Sequence, residues 1–395
     1  MSPGKSASGS GAEPPPRRHL FWMGAGVVAA LLGLQGLAAS APIRSDVLML
    51  LTPEGLLAGV GDGLRRGYAL AMEEARVCGV KPPTLQLGWL PPEQDPRAAL
   101  MVRPLPGLLI APPAVSLVSY GLLAQELGLT VLLPLQRGSS LNGLPSLAGA
   151  DRLWPVLPAR SLEADRLAKG LIEEKRSRVM VIHDGSSEQI ALANRFVASL
   201  SGDGGRVVGY QEGSQEIADP DARTITRLVD DVDYYRPEAL VVMTAPTSPL
   251  AKAVREARWP ADLTLVWPFP ATEPLANAQL GVDPLSRGPG WNRFAANFQR
   301  RYNYVPSLVE ATGYDTGQLA AVTARRPGDA APWDMAWLDP KAQPRALCAA
   351  IESRRQGGRT ALKGAASQLD LGAGSAPSAE LRLTPLPAAG NAPPS

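Results

Sequence analysis

The chain has 395 residues, of which 45% are hydrophobic and 19% charged, and it carries 39 basic against 37 acidic side chains. One hydrophobic core rarely serves a chain of this length, so two domains or lobes are expected, and the composition excludes a disordered or fibrous protein. The balanced charge argues against nucleic-acid binding, because that function needs a surplus of cations to displace the counterions of phosphates.

The first 41 residues have the pattern of a leader for export. Arg17 and Arg18 precede an apolar run over residues 20–39, and small residues follow up to Ser40. This order is typical of a signal peptide that is cleaved after Ser40. The run also approaches the roughly 20 residues that span a bilayer, so an uncleaved signal anchor is the alternative. We therefore expect a periplasmic or otherwise exported protein, with membrane anchoring only if the leader is retained.

After the leader, short β-type runs alternate with amphipathic helical patterns, which is the signature of a parallel sheet covered by helices. The first strands are predicted at residues 47–51, 84–88, 108–111 and 130–133. Apolar residues recur at steps of three and four between Leu56 and Ala75, which predicts a long helix, and a second helix is predicted over residues 116–127.

A second series of the same kind begins near residue 160. Helices are predicted at residues 162–174, 188–200, 222–232 and 250–258. Strands are predicted at residues 178–182, 206–209, 239–243 and 263–266. Three further helices are expected at residues 291–302, 311–324 and 343–354, before a tail that should be disordered after about residue 386. The predicted fold class is α/β, with two doubly wound parallel-sheet lobes.

Residues that could carry chemistry are few. Cys78 and Cys348 lie far apart and show no metal-type spacing, so two buried free thiols are expected, although an oxidising compartment would permit a disulfide. His183 and Asp184 stand beside Ser186, but neighbours in one chain rarely orient one another as a catalytic triad requires. The stretch is typical of a loop between a strand and a helix. We predict no catalytic residue, no metal site and no cofactor.

Three segments carry a resemblance to a known family. They are LLTPEGLLAGVGDGLRRGYALAMEEA at residues 50–75, SRVMVIHDGSS at residues 177–187, and FAANFQRRYNYVPSLVEATGYDTGQLAA at residues 294–321, the most specific of the three. In order and spacing they resemble the periplasmic binding protein type I family, in particular the leucine/isoleucine/valine-binding proteins of branched-chain amino acid ABC transporters. The resemblance covers residues 45–384.

The resemblance implies two lobes joined by a hinge of several crossing segments, with a ligand held in the cleft between them by strand-end loops. Crossings are expected near residues 155–160, 268–275 and 328–340. The N-terminal lobe would comprise residues 42–157 and 272–330, the C-terminal lobe residues 158–271 and 331–385, and the tail residues 386–395.

The resemblance also implies positions for a ligand site. The family's hydroxyl-rich loop for the ligand carboxylate corresponds to residues 111–118, where Ser116 is the nearest hydroxyl. The next loop offers Gln136 and Arg137, and arginine can bind a carboxylate with two hydrogen bonds. The family's pocket aromatics correspond to Val60, to Glu188, and to Pro246 or Thr247, and its ammonium-binding acid corresponds to Phe269.

These correspondences predict a solute-binding protein that captures a small polar organic ligand, amino-acid-like, amide or carboxylate, for an ABC-type importer whose permease would be the membrane partner. Burying an ammonium group without an anionic or strongly accepting partner costs several kcal/mol. Because Phe269 offers neither, the ligand is predicted not to be a simple aliphatic α-amino acid bound in the family's usual way. The alternative is a degenerate member of the fold that serves as an interaction or sensory module of the cell envelope.

Overall fold

The computed structural model describes residues 45–389, apart from residues 92, 102–104, 114, 211 and 326–332. The predicted leader therefore lies outside the described residues. None of the described helices combines the length and the apolar character needed to cross a bilayer.

A five-stranded parallel sheet forms the first lobe. Its strands are β1 (Ser45–Leu51), β2 (Leu85–Trp89), β3 (Pro106–Ile110), β4 (Thr130–Leu133) and β5 (Leu153–Pro155), arranged in the order β2-β1-β3-β4-β5. Helices α1 (Leu56–Val77), α2 (Arg97–Leu100) and α3 (Leu117–Leu127) connect the first four strands. Val47 and Met49 of β1 belong to one core cluster, and Leu48 and Leu50 to another, as expected for a parallel sheet with both faces covered.

A second sheet forms the second lobe. Its parallel strands are β6 (Arg178–His183), β7 (Arg206–Val207), β8 (Gln215–Glu216), β9 (Ala239–Met243), β10 (Thr264–Trp267) and β11 (Gln279–Arg287). They are arranged in the order β11-β10-β9-β6-β7, with β8 also paired to β6. The helices of this lobe are α4 (Ser161–Glu173), α5 (Ser187–Gly202), α6 (Ala222–Tyr235) and α7 (Pro249–Glu256).

The C-terminal part of the chain packs mainly on the first lobe. Its elements are α8 (Trp291–Tyr302), α9 (Leu308–Thr323), β12 (Pro344–Arg345), α10 (Leu347–Arg355), β13 (Ala361–Leu362) and β14 (Glu380–Leu386). Apolar residues from 294 to 371 share a core cluster with β1, whereas β14 pairs antiparallel with β11 of the second sheet. The chain thus crosses between lobes after β5, between β11 and α8, and between residues 371 and 380.

Two predicted crossings, and with them two predicted lobe boundaries, are therefore displaced. The crossing expected near residues 268–275 comes after β11, which was not predicted because Gly281, Asp283 and Pro284 interrupt its apolar pattern. The crossing expected near residues 328–340 comes after residue 371, because Trp337 and its neighbours are buried in the first lobe. Of the predicted tail, Ala389 is held to the second lobe, since its N–H donates to the oxygen of Leu275 at 2.7 Å, and residues 390–395 lie outside the described residues.

Within the first lobe, α1 and α9 approach each other through glycines. A Cβ atom added at Gly67 would lie 1.9 Å from the backbone oxygen of Glu310, and one added at Gly313 would lie 2.1 Å from that of Leu64. No side chain larger than glycine fits such a contact without moving the helices. Further along α9, the buried carboxylate of Asp315 accepts hydrogen bonds from the N–H groups of Ala365 and Ala366, which fixes the segment after β13.

Cys78 and Cys348 form a disulfide, so the expectation of two free thiols is wrong. Cys78 follows α1 and Cys348 lies on α10, and the packing of both helices on one lobe brings their Cα atoms to 5.1 Å. No local pattern in the sequence indicates this proximity, because 270 residues separate the two cysteines.

Candidate functional site at the strand ends and the lobe junction

Arg137, which follows β4, is held by groups of the chain itself. Its Nη2 donates to Oε1 of Glu163 on α4 at 2.9 Å, and its Nε donates to the oxygen of Pro158 at 3.1 Å. Glu163 is only 1% exposed. Burial lowers the pKa of the Arg137 guanidinium, and the charge of Glu163 opposes that shift. The guanidinium predicted to meet a ligand carboxylate is thus already paired with a carboxylate of the second lobe.

The ion pairing continues along the junction between the lobes. Nε of Arg160 donates to Oε2 of Glu163 at 3.2 Å, and Nη1 of Arg160 lies 3.5 Å from Oε1 of Glu188. Oε2 of Glu188 in turn accepts the N–H of Ser139 at 2.7 Å. Ser139 belongs to the first lobe and Glu188 to α5 of the second. We call these four side chains and the Ser139 N–H the junction network.

A small cavity adjoins this network. Its volume is about 100 Å³, and its walls include Gly138, Asn142 and Arg195 in addition to Arg160 and Glu188. Pockets for small-molecule ligands usually measure about 300 Å³ or more. In this arrangement of the lobes the junction therefore accommodates a small polar group rather than a whole organic solute.

The strand-end loops of the second lobe form hydrogen bonds among themselves. Asp184, directly after β6, accepts from the hydroxyls of Thr244 at 2.7 Å and Ser186 at 2.8 Å. Burial acts to raise the pKa of Asp184, but these hydrogen bonds outweigh it and hold the pKa below its ordinary value. Nδ1 of His183 accepts the N–H of Gly185 at 3.1 Å, and burial lowers the pKa of this imidazole.

The loop at residues 183–186 is therefore an ordered turn before α5, as predicted, and the carboxylate of Asp184 binds Thr244 and Ser186 instead of orienting His183. Sequence reasoning did not single out Thr244 as a site residue. The available signal was its place directly after β9, at the same edge of the sheet as Asp184.

Two of the predicted second-lobe site residues take no part in the junction network. Phe269 stacks on Trp267, with ring centroids 5.3 Å apart, and the guanidinium of Arg255 lies over both rings at 5.3 and 5.6 Å. Phe269 consequently packs within its own lobe and offers no carboxylate or hydrogen-bond acceptor for an ammonium group. Thr247 is exposed in the loop before α7, beside Pro246, whose oxygen accepts from Arg255.

The remaining first-lobe positions lie apart from one another. Gln136 is 7% exposed directly before Arg137, whereas Val60 is half-buried on α1. Ser116 is the N-cap of α3, where its Oγ accepts the N–H of Ser119 at 3.3 Å. The structure thus brings Arg137 and Glu188 into one network and leaves Ser116, Thr247 and Phe269 outside it.

Ser116 instead borders a second cavity, of about 130 Å³, between the loops that follow β2 and β3. We call it the β2–β3 cavity. It shares no lining residue with the junction cavity, and its walls include Glu93, Asp95, Ser119 and Tyr120. Across the described residues, no three histidine, cysteine, aspartate or glutamate side chains are grouped in a way that could hold a metal ion.

No family model matches the chain, and no curated protein matches it either. Solved structures do. An ABC transporter substrate-binding protein from Desulfitobacterium hafniense superimposes with a TM-score of 0.56 at 16% identity, over 86% of this chain and 96% of that one. Another from the same organism, in complex with Leu, gives a TM-score of 0.53 at 18% identity, over 70% of this chain and 82% of that one.

A third structure extends the range of ligands found with this architecture. It is a solute-binding protein of an ABC transporter from Rhodopseudomonas palustris BisB5 in complex with 3,4-dihydroxybenzoic acid, with a TM-score of 0.52 at 13% identity, over 73% of this chain and 83% of that one. Likeness at these identities concerns the fold. The fold class and the resemblance predicted from the sequence are confirmed at that level: the chain has, in divergent form, the fold of the type I periplasmic binding proteins.

Proposed function

We propose that the chain is an exported solute-binding protein, without catalysis of its own, that captures a small polar organic ligand between its lobes and delivers it to the permease of an ABC-type importer. One observation carries the proposal: the segments that follow β4 of the first sheet and β6 of the second meet at the junction network, where the N–H of Ser139 donates to Glu188 at 2.7 Å. Open α/β sheets bind ligands outside the carboxyl ends of their strands. The leucine and dihydroxybenzoic acid complexes of similar folds support a small organic ligand.

The junction network favours a ligand that carries a carboxylate or amide. Arg160 is 29% exposed and is the more accessible of the two network guanidiniums, since Arg137 is 12% exposed. Arg160 and Glu188 both belong to the second lobe, so if the lobes separate Glu188 leaves only the Ser139 N–H. A ligand carboxylate or amide oxygen can then take its place between that N–H and Arg160. Such a ligand would bridge the lobes by the same contacts that Glu188 makes now, which is closure of the hinge type.

The disulfide supports the proposed location. Structural disulfides form and persist in oxidising compartments, such as the bacterial periplasm, and are rare in the cytosol. The bond between Cys78 and Cys348 therefore agrees with export by the predicted leader. N-terminal sequencing of the protein outside the cytoplasm is expected to begin at Ala41, whereas an intact leader in the membrane fraction would establish the signal anchor.

A second candidate function is an interaction or sensory module of the cell envelope. The junction network favours it in one respect, because Arg137, Glu163, Arg160 and Glu188 satisfy one another without a ligand. A lobe pair that holds itself together in this way could present a fixed surface to a protein partner.

Thermal melting of the refolded, ligand-stripped protein separates the two candidates. We expect at least one compound in a panel of amino acids, amides and short carboxylates to raise the melting temperature. A compound at one hundred times its Kd should stabilise the folded state by about 2.7 kcal/mol. A panel in which no compound shifts the melting temperature would contradict solute binding and favour the second candidate.

A further inference from the structure

The side chain of Glu188 reaches from the second lobe to the first at the junction. Its Oε2 accepts the N–H of Ser139 at 2.7 Å, and its Oε1 lies 3.5 Å from Nη1 of Arg160. Each oxygen of this carboxylate therefore faces one donor, which is the arrangement that a bound carboxylate ligand requires. We call the Ser139 N–H and Nη1 of Arg160 the carboxylate site.

Gly138 leaves the space in which this carboxylate lies. A Cβ atom added at Gly138 would come within 3.2 Å of Oε2 of Glu188. The backbone of Gly138, with φ −70° and ψ −179°, is extended, so its conformation does not require glycine. The missing side chain instead provides room for a carboxylate beside the Ser139 N–H.

The walls of the junction cavity include two arginines, which differ in what they can still bind. Arg195 is bound to Asp165 by two hydrogen bonds of 2.7 Å. Arg160 donates its Nε to Glu163, which leaves its Nη1 for Glu188 or for a carboxylate that replaces it. Glu188 and a ligand carboxylate would use the same guanidinium and the same N–H, so the two cannot be bound there together.

The size of the junction cavity also depends on Glu188. The cavity measures about 100 Å³ with Glu188 as part of its wall. Pockets for organic ligands usually measure about 300 Å³ or more. A solute larger than a small polar group can therefore enter the junction only after the side chain of Glu188 has left it.

We infer that the carboxylate of Glu188 is a tethered competitor of the ligand: it holds the lobes together in the absence of ligand and must leave the carboxylate site before a solute binds. The inference rests on the proposed function and adds to it a residue that regulates the affinity. Only molecules whose site is vacant can bind a ligand, so the apparent Kd rises as the occupied fraction rises. If Glu188 occupies the site in about nine molecules of ten, removing its carboxylate should tighten binding about tenfold.

Acetate is the probe for this inference, because it can replace the lost carboxylate of the variant Glu188→Ala. In the full exported chain with that substitution, acetate should raise the melting temperature above the value in sodium chloride of the same concentration. The parent chain and Glu188→Gln should show no such rise, since a side-chain oxygen still accepts from Ser139 in both. The matched control is Glu173→Ala, because Glu173 pairs with Arg166 and does not line the cavity.

Calorimetric titration with acetate gives the size of the effect. The Kd of acetate for Glu188→Ala should be lower than that for the parent chain by about tenfold or more. The Kd for Glu173→Ala should equal that for the parent chain.

The outcomes separate this inference from the proposed function. An acetate response of folded Glu188→Ala no larger than that of the parent chain would overturn the competition and leave solute binding by the parent chain intact. A response of equal size in Glu173→Ala would also overturn it, since acetate would then act elsewhere. A response confined to Glu188→Ala establishes the competition. If in that case no compound of the melting panel bound either protein, the result would count against the proposed function alone.

Discussion

Two contacts in the molecule differ in the groups that form them: the contact between α1 and α9 inside the first lobe, and the contact between the two lobes. The helices meet through Gly67 and Gly313, backbone against backbone, with no room for a methyl group. The lobes meet through polar groups: Arg137 of the first lobe pairs with Glu163 of the second, and the Ser139 N–H of the first donates to Glu188 of the second. Close packing leaves a helix pair no alternative arrangement, whereas ion pairs can exchange partners with water, salt or a ligand.

This difference indicates which part of the molecule is suited to move. The first lobe is further fixed by the disulfide from α1 to α10, so a change of shape falls on the crossings and on the junction network. We call Arg137–Glu163, whose carboxylate is buried, the inner pair, and Arg160–Glu188, whose carboxylate is 28% exposed, the outer pair. The inner pair joins the lobes directly, whereas Glu188 joins them through the Ser139 N–H, and this exposed end of the network should yield first.

The largest effect is expected from Glu163→Gln. This change leaves the buried guanidinium of Arg137 without its counter-charge, and removing one partner of a buried ion pair costs about 3–5 kcal/mol. Urea unfolding measures the loss. The control is Glu173→Gln on the same helix, whose 50% exposed carboxylate pairs with Arg166, and it should cost less than about 1 kcal/mol. Equal losses in the two variants would mean that the inner pair contributes no more than a surface pair.

Gly67→Ala should have the next largest effect, about 2–3 kcal/mol of destabilisation, because its Cβ would overlap the backbone of α9. Gly59→Ala is the matched control on the same helix. A Cβ there meets nothing within 4 Å, so alanine should stabilise the chain by about 0.5–1 kcal/mol through its helix propensity. Thermal melting should show a lower melting temperature for Gly67→Ala and a higher one for Gly59→Ala. A higher melting temperature in Gly67→Ala would contradict the close packing of α1 on α9.

Asp315, which is buried in the first lobe, makes the free energy of unfolding depend on pH. Burial raises its pKa to about 7, although backbone N–H groups that bond to it oppose the shift. Because the pKa in the unfolded chain is about 3.9, the folded state retains the proton longer, and stability from this group is complete below that value and lost as pH rises to about 7. The slope should not exceed about 1.4 kcal/mol per pH unit. In Asp315→Asn, urea unfolding at a series of pH values should no longer show the loss of stability that Asp315 causes. A pH profile that is the same in the variant and the parent chain would contradict this role of Asp315.

Glu188→Gln should have the smallest effect on stability, about 1 kcal/mol, because the side chain is partly exposed and an amide oxygen can still accept from Ser139. Sodium chloride at 0.5 M should reduce the difference between the parent chain and the variant, since it screens the pair with Arg160. A loss as large as that of Glu163→Gln would show that the outer pair is not the weaker one.

The sequence was sufficient for most of the helices and strands and for the fold. β9 and α8 occupy the residues predicted for them, because buried strands and amphipathic helices leave strong local patterns. β11 escaped prediction because its pairing with β10 and β14 overrides a local pattern broken by Gly281 and Pro284. The disulfide and the lobe assignment of residues 333–371 depend on contacts distant in sequence, which no local pattern encodes.

The candidate site was less accessible to sequence reasoning. Arg137 and Glu188 were singled out, but as partners for a ligand, because the sequence does not reveal that Glu163 and Arg160 stand between them. The β2–β3 cavity was missed except for Ser116, since Glu93 and Tyr120 come together only when the loops after β2 and β3 are adjacent.

The central claim is that charges at the junction hold together two lobes that can separate. Pulsed electron paramagnetic resonance tests it most directly, with spin labels on cysteines introduced at the exposed positions Gln125 on α3 and Lys252 on α7. The native cysteines are paired and take no label. We expect a single distance in the parent chain and an added, longer population in Glu188→Ala, which removes the acceptor of the Ser139 N–H; a solute that raises the melting temperature should reverse the change. Identical distance distributions in both proteins, unchanged by such a solute, would contradict the claim.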